Sequence, residues 1–525
     1  MLPTSFARQA TRVFFGLLGA ALALTPVPSV AGGTASGAAA VAQATPNPEP
    51  TKKPSPFRYG GYVRSFDFSR LNNPQLSSKN ALNQRSWNTG VNLHGEYDLA
   101  PGLTFGATYF YANPFAGNCN SAASHANGAP CVNSNKQKPG QGTNPDDTLP
   151  GFEMSTLYET YLQYKDPHWY VKGGDQVINT PWAAPIDTRL KPVAFRGGDA
   201  AYTFDKHWTA EYMRMTEFEG RAESNFENST LLTATKIASA NYGGAPSNLD
   251  LKSYTSIPTN GFNYGRIGYA NGNWRTNLHY YNFLQIANAF WLEGQYSLNG
   301  SLHPALAYQL GSEHETGSAV IGKIDSQIYG VQGGITPHPN LSFTVGFDAI
   351  PERSTTLVLP KNVTCSSSGS ITAKSPLLYF IPTGGTPACH NLDNGQTVLY
   401  YGGWASPYTS GYTGDPLFTT TISSSMIDRA SPGQSVKGQL TAYADLRRIR
   451  LIVSQGYYSF GNPTTGLAPT REFNADATFC PRKMSTTGAC KGLQIRYRYA
   501  DRLQAPAFAT NPEFKYNRGQ LEYDF

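Results

Sequence analysis

The sequence predicts an all-β chain, a transmembrane antiparallel β-barrel of about eighteen strands. Three observations predict it: an alternating final segment that closes on an aromatic, a composition rich in aromatics and poor in charge, and short turns that alternate with long polar loops. Leu521, Tyr523 and Phe525 alternate with Gln520, Glu522 and Asp524. Successive strand side chains point to opposite faces, so one face there is apolar and the other bears carboxylates. A strand of that kind suits a barrel whose outside meets lipid and whose inside meets water. Aromatics are 13% and charged residues only 14%, where a soluble domain carries ~25% charge. The formal charge of +6 is modest, and no compact basic run suggests nucleic acid.

The first element is an export signal. Arg8 and Arg12 precede an apolar run from Val13 to Leu24, and Ser29-Val30-Ala31 offers a small-residue cleavage site, with Ala42-Gln43-Ala44 a second candidate. Residues 1–31 are therefore expected to be a signal peptide. Residues 32–56, with Pro46, Pro48, Pro50, Pro54 and Pro56, are expected to form a Pro-rich periplasmic tether, because proline cannot donate to a sheet. The barrel is expected over 57–525. The apolar run is too short to span a bilayer as a helix, and a closed barrel satisfies its backbone without any long hydrophobic segment.

The barrel strands are centred near Gly60, Asn92, Ala107, Tyr158, Val171, Tyr202, Tyr212, Arg266 and Leu278 in the first half. Those of the second half lie near Trp291, Ala307, Tyr329, Phe343, Leu440, Ile452, Ala475, Tyr497 and Leu521. Tight connectors occur at Ala100-Pro101-Gly102, Asp166-Pro167-His168, Asp205-Lys206, Asn271-Gly272-Asn273 and His338-Pro339-Asn340. The long ones, Pro114 to Pro150, Glu219 to Asn260 and Ser354 to Gly433, alternate with them and are expected outside the membrane. Both barrel ends on one side require an even strand number, which places the turn from Cys480 to Cys490 on the short-turn side. The six cysteines form sequence-local pairs, Cys119 with Cys131, Cys365 with Cys389 and Cys480 with Cys490. They are expected as disulfides in an oxidising compartment.

After the fifth strand comes Gly173-Gly174-Asp175-Gln176, then Asn179-Thr180-Pro181-Trp182-Ala183-Ala184-Pro185-Ile186-Asp187-Thr188. It continues as Arg189-Leu190-Lys191-Pro192-Val193-Ala194-Phe195-Arg196-Gly197. Three prolines keep it out of helix and ladder, and Trp182, Leu190 and Phe195 need a surface to bury against. The segment is expected to fold inward and narrow the lumen, with Arg189, Lys191, Arg196 and Asp187 at the constriction. The Gly-Asp-Gln strand end, the Arg-Leu-x-Pro-x-x-Phe-Arg-Gly run and the closing segment Leu493 to Ala500 resemble the OprD family of outer-membrane porins. That resemblance implies an eighteen-stranded, substrate-selective channel for small carboxylate-bearing solutes with an arginine-lined path. The long cysteine-bearing loops and the acidic final strand depart from it, so substrate identity does not transfer.

Alternation places further basic groups on the inner face. Arg496 and Arg498 oppose Ile495, Tyr497 and Tyr499; Arg450 opposes Ile449 and Leu451; and Arg275 opposes Trp274 and Leu278. An arginine facing lipid near the midplane would cost ~2–4 kcal/mol, which favours the inward assignment. Inward guanidiniums offer a carboxylate successive bidentate partners, and several weak sites conduct better than one tight site. The expected function is passive diffusion of small anionic or zwitterionic solutes, such as amino acids and organic acids, across the bacterial outer membrane. No catalysis, metal or cofactor is implied, and the expected state is a monomer or homotrimer. Its partners are outer-membrane lipid and lipopolysaccharide, the barrel-assembly machinery and the solutes. The alternatives are a barrel enzyme of lipase or protease type, although no Gly-x-Ser-x-Gly appears, and a secreted carbohydrate-binding β-protein.

Overall fold

The computed structural model describes residues 55–72, 83–116, 143–144, 153–185, 189–221, 223–231, 259–316, 324–357, 363–365, 371–373, 388–392, 394–409, 414–427, 432–460, 470–485, 488–503 and 513–525. The expected signal peptide (1–31) and most of the expected tether (32–56) lie outside them. Eighteen long antiparallel strands make the wall. The first six are β1 (Phe57–Asn72), β2 (Asn83–Ala100), β3 (Leu103–Ala116), β4 (Met154–Lys165), β5 (Trp169–Gln176) and β6 (Ala194–Thr203). The next six are β7 (Trp208–Glu219), β8 (Phe262–Asn271), β9 (Trp274–Phe283), β10 (Ala287–Ser297), β11 (Ala305–Glu315) and β12 (Asp325–His338). The last six are β13 (Leu341–Ile350), β14 (Gly433–Ala444), β15 (Ile449–Phe460), β16 (Thr470–Phe479), β17 (Leu493–Leu503) and β18 (Glu513–Asp524).

Each wall strand pairs with the next, and β18 closes on β1 from Tyr62↔Asp524 to Asn72↔Phe514, so no wall edge is left unpaired. Phe525 completes the seam, exchanging backbone hydrogen bonds with Gly61 in both directions. All eighteen strand centres read from the sequence fall within these strands, and the even count is met. The alternation also has its expected consequence. Val63, Leu93, Leu157, Val171, Ile267, Leu278, Leu310, Val345, Leu451, Ile495 and Leu521 stand exposed on the outer face. Their neighbours along each strand turn inward, where Asn92, Lys172, His279, Gln309, Asp348, Asp476 and Arg498 are buried. Lipid-compatible outside and polar inside follow from period two alone.

One face switch has a local cause. In the β3–β4 pair Thr108 opposes Glu159 but Tyr109 opposes Leu157, so Tyr158 is an extra residue, a bulge. Tyr158 and Glu159 both turn inward as a result: Asn92 Nδ2 donates to the Tyr158 hydroxyl, and Thr108 Oγ1 to Glu159 Oε2.

The tight turns gather at one end. The Cys480–Cys490 disulfide closes the turn there between β16 and β17, as expected. Cys119 and Cys131 lie outside the described residues. Cys365 and Cys389 fall in short strands (Val363–Cys365 and Ala388–Asn391), and their side chains lie outside the description. At the opposite end the loops are long, except between β9 and β10, where only residues 284–286 intervene.

The region 354–433 departs from the expected outside loop. Arg353–Leu357, Thr397–Tyr401 and Ala388–Asn391 make a small separate sheet, but residues 402–409 and 414–427 are almost wholly buried. They fold into the barrel. Hydroxyls explain how: a Thr/Ser run with no charge satisfies its own polar groups against inward carboxylates, so it can be buried in a polar lumen.

A constriction built by two inward segments

The segment after β5 does fold inward. Thr180 and Ala183 close a turn at 3.0 Å, and the Val193 amide donates to Pro185 O at 3.0 Å. Wall groups on opposite sides hold it. Tyr62 OH of β1 donates to Leu190 O at 2.8 Å, and Arg64 to Arg189 O at 2.7 Å. From the other side Trp182 N donates to the Tyr281 hydroxyl of β9 at 3.2 Å. Trp182 is fully buried, edge-on to Trp291 with ring centres 5.1 Å apart.

The second inward segment meets the first. Trp404 lies 4.8 Å from Trp182, ring centre to ring centre, and Ala183 bridges to Tyr408. Tyr408 packs among Phe195, Phe218 and Phe262 at 5.1–5.6 Å. Carboxylates of the wall anchor the backbone and hydroxyls. Glu313 of β11 accepts from Ala405 N at 2.7 Å, and Asp348 of β13 accepts from Thr419 N at 2.7 Å and Oγ1 at 2.6 Å. Glu472 of β16 accepts from Ser423 N, Ser423 Oγ and Ser424 Oγ at 2.6–2.8 Å. Within the segment Asp415 accepts from Thr420, Ser425 and Leu417, while burial pushes its carboxyl above the ordinary value. One side of the constriction is thus hydroxylic and acidic.

The arc next to it, from β17 through β18 to β1, is basic. Arg496 and Arg498 of β17 share Asp476 of β16, with contacts of 2.5–2.9 Å. On β18, Arg518 stacks over Phe66 at 4.3 Å and stands opposite Arg498 in the ladder. Arg64 of β1 pairs with Glu522 and lies over the Tyr62 ring at 4.3 Å. Arg189 reaches this group from the first inward segment, 5.6 Å over Phe68. Five guanidiniums face two carboxylates across four adjacent strands and one loop.

The residues expected at the site divide by position. Arg496 and Arg498 occupy the inner face beside the constriction, and Arg189 joins them. Arg450 is inward too, but at the turn end, where it touches Gly488 O and Thr478 against the disulfide turn. Arg275 sits on the inner face near the same end, exposed. Asp187 lies outside the described residues.

Lys191 and Arg196 differ from expectation. Lys191 is fully buried, held by Glu219 at 2.8 Å and Gly220 O at 2.7 Å, and burial pushes its ammonium below the ordinary value. It pins the loop to the wall. Arg196 lies on the outer face, bound to Asp175 and Glu217 at 2.7 Å each, because Phe195 takes the inward position beside it.

Arg64, Arg518 and the second segment were not read from the sequence. In β1 both faces carry aromatics (Phe66 and Phe68 inward, Tyr59 outward), so its alternation is ambiguous. Trp404 and the charge-free run Thr419-Thr420-Thr421-Ile422-Ser423-Ser424-Ser425 were the available signal for the second segment.

No family model matches the chain, and no curated protein matches it. Solved structures do. A BenF-like porin from Pseudomonas fluorescens Pf-5 aligns with a TM-score of 0.61 at 13% identity, over 89% of this chain and 98% of that one. OccAB3 of Acinetobacter baumannii gives 0.58 at 13%, covering 89% and 99%. OpdK of Pseudomonas aeruginosa, in its structure with vanillate, gives 0.57 at 13%, covering 89% and 98%. At that identity the likeness is one of architecture, and it coincides with the wall and seam described above: the chain has the eighteen-stranded fold of OprD-type outer-membrane porins.

Proposed function

We propose that the chain is an outer-membrane channel for passive, substrate-selective diffusion of small carboxylate-bearing solutes, amino acids and organic acids among them. The observation that carries the proposal is the meeting of a basic and an acidic arc of the wall beside the two inward segments. Arg64, Arg189, Arg496, Arg498 and Arg518 lie on β1, β17, β18 and the first inward segment, and Asp348, Asp415, Glu472 and a band of hydroxyls on β13, β16 and the second. A carboxylate moving along the basic side exchanges water for successive guanidinium partners, none held so strongly that it cannot leave. An ammonium on the same solute finds acceptors on the neighbouring acidic arc, so zwitterions are oriented as well as admitted. Asp476 and Glu522 offset part of the basic charge, which keeps each step weak. Embedding in the bacterial outer membrane, with the tight turns facing the periplasm, is part of this proposal, and catalysis is not.

The test is planar-bilayer conductance of the refolded protein under a salt gradient, then with small carboxylates added. Discrete steps with anion preference, interrupted by carboxylates, are expected. Arg496→Ala/Arg498→Ala should lower the anion-to-cation permeability ratio several-fold, whereas Arg196→Ala, on the outer face, should leave it unchanged. A folded barrel without conductance, or a permeability ratio indifferent to the β17 arginines, would overturn the proposal.

A further inference from the structure

Two hydrogen-bonded turns at the tight-turn end form one basic plate. Residues 445–448 join β14 to β15, and 480–492 join β16 to β17. Cys480 N donates to Arg448 O at 2.8 Å and Met484 N to Arg447 O at 3.1 Å, so the turns are stitched together. Asp445, Leu446 and Arg447 are three successive non-glycine residues with φ of 47°, 52° and 67°. Side chains rarely adopt that backbone, and it persists only where surroundings enforce it. Here the Cys480–Cys490 disulfide, the Arg447 guanidinium 3.8 Å over Tyr443, and its bond to Pro339 O supply the enforcement.

The plate carries Arg447, Arg448, Arg482, Lys483 and Lys491 against Asp445 alone. Five cations minus one carboxylate is +4, set against +6 for the whole chain. Arg482, Lys483 and Lys491 are exposed and make no hydrogen bond or ion pair among the described residues.

Their surroundings identify what they meet. On the outer face of the strands leading to the plate, Ile449, Leu451, Phe479 and Ile495 are 39–47% exposed, and Leu446 at the turn tip is 76% exposed. Those apolar residues border the turns that carry the cations. We infer that this plate is a docking site for anionic phospholipid headgroups of the leaflet at the tight-turn end. Phosphate oxygens accept from the lysine and arginine heads while the aliphatic stems lie along apolar surface. The inference rests on the barrel lying in a bilayer, not on which solute crosses it.

The experiment places the full-length protein in nanodiscs of mixed phosphatidylglycerol and phosphatidylcholine and reads retained lipid by native mass spectrometry. The wild type should retain the anionic lipid preferentially. Arg482→Gln/Lys483→Gln should reduce that preference on the order of tenfold. Lys165→Gln/Lys206→Gln removes the same charge from exposed positions on other turns of the same end, and should leave the preference intact. No preference in the wild type, equal loss in both variants, or an unchanged preference in Arg482→Gln/Lys483→Gln would each overturn the inference. The last outcome, joined by binding of an acidic protein to the plate, would assign the surface to a protein partner instead.

Discussion

Lys191 and Arg196 are five residues apart and serve different surroundings. Lys191 is sealed in the lumen against Glu219, which Thr156 Oγ1 also contacts at 3.0 Å. A buried pair contributes little net stability, but losing one partner leaves the other charge without compensation, at about 3–5 kcal/mol. Lys191→Met is therefore expected to lower stability by roughly that amount, read as the temperature at which heat-modifiable gel mobility is lost. Lys191→Met/Glu219→Gln should recover most of the loss; a double variant as unstable as the single would contradict the pairing. Arg196 is held by two carboxylates at a half-exposed position, where ion pairs contribute little. Residue type alone could not separate these two cations, since both are basic and lie in one Pro-containing segment.

At the scale of elements, the turns before β5 and β7 repeat one device, Asp-x-His-Trp. Asp166 Oδ1 accepts from His168 N and Trp169 N at 2.7 Å; Asp205 Oδ1 accepts from His207 N at 2.7 Å and Trp208 N at 2.9 Å. Each histidine ring then reaches a carbonyl of the next hairpin, Thr203 O and Ala270 O, at 2.9 and 2.8 Å. The backbone amides, of Trp169 first for Asp166 and of His207 first for Asp205, hold both carboxyls below the ordinary aspartate value. A folded-state pKa below the unfolded one means stabilisation that is complete above the unfolded value, ~3.9, and lost as pH falls through the folded value. Asp166→Ala/Asp205→Ala should therefore unfold more readily than wild type at neutral pH, and the gap in denaturant midpoint should close as the pH falls through the lowered folded-state values. A gap that persists in acid would assign the effect to something other than the carboxylates. The two inward segments are joined mainly through aromatics, so Trp404→Ala should loosen the constriction. Larger or noisier single-channel steps are expected, and steps identical to wild type would show that this contact does not limit the pore.

For the molecule as a whole, closure does most of the work. Eighteen strands in one ring leave no unpaired wall edge, and the apolar outer face and polar lumen then follow from alternation. That level was legible in the sequence because strand periodicity is local: Leu493 to Ala500 and Leu521 to Phe525 carry their face assignment in adjacent residues. The tight turns and the Cys480–Cys490 closure were legible for the same reason, since turn chemistry and short disulfide loops span few residues. The constriction was legible only in part. Prolines and Trp182 marked the first segment as one that needs burial, but its partners Tyr62, Arg64, Glu219 and Tyr281 are remote in sequence. The second segment escaped because Thr/Ser runs also suit a solvated loop; only the inward carboxylates Glu313, Asp348 and Glu472, from three different strands, make its burial favourable. The sequence by itself determined the barrel, its strand number, the two ends and the face of each regular strand, because these rest on period two and on turn residues. Tertiary structure alone decided which arginines converge, which cation is a pin and which loop enters the lumen, because those depend on charges and rings brought together by closure of the ring.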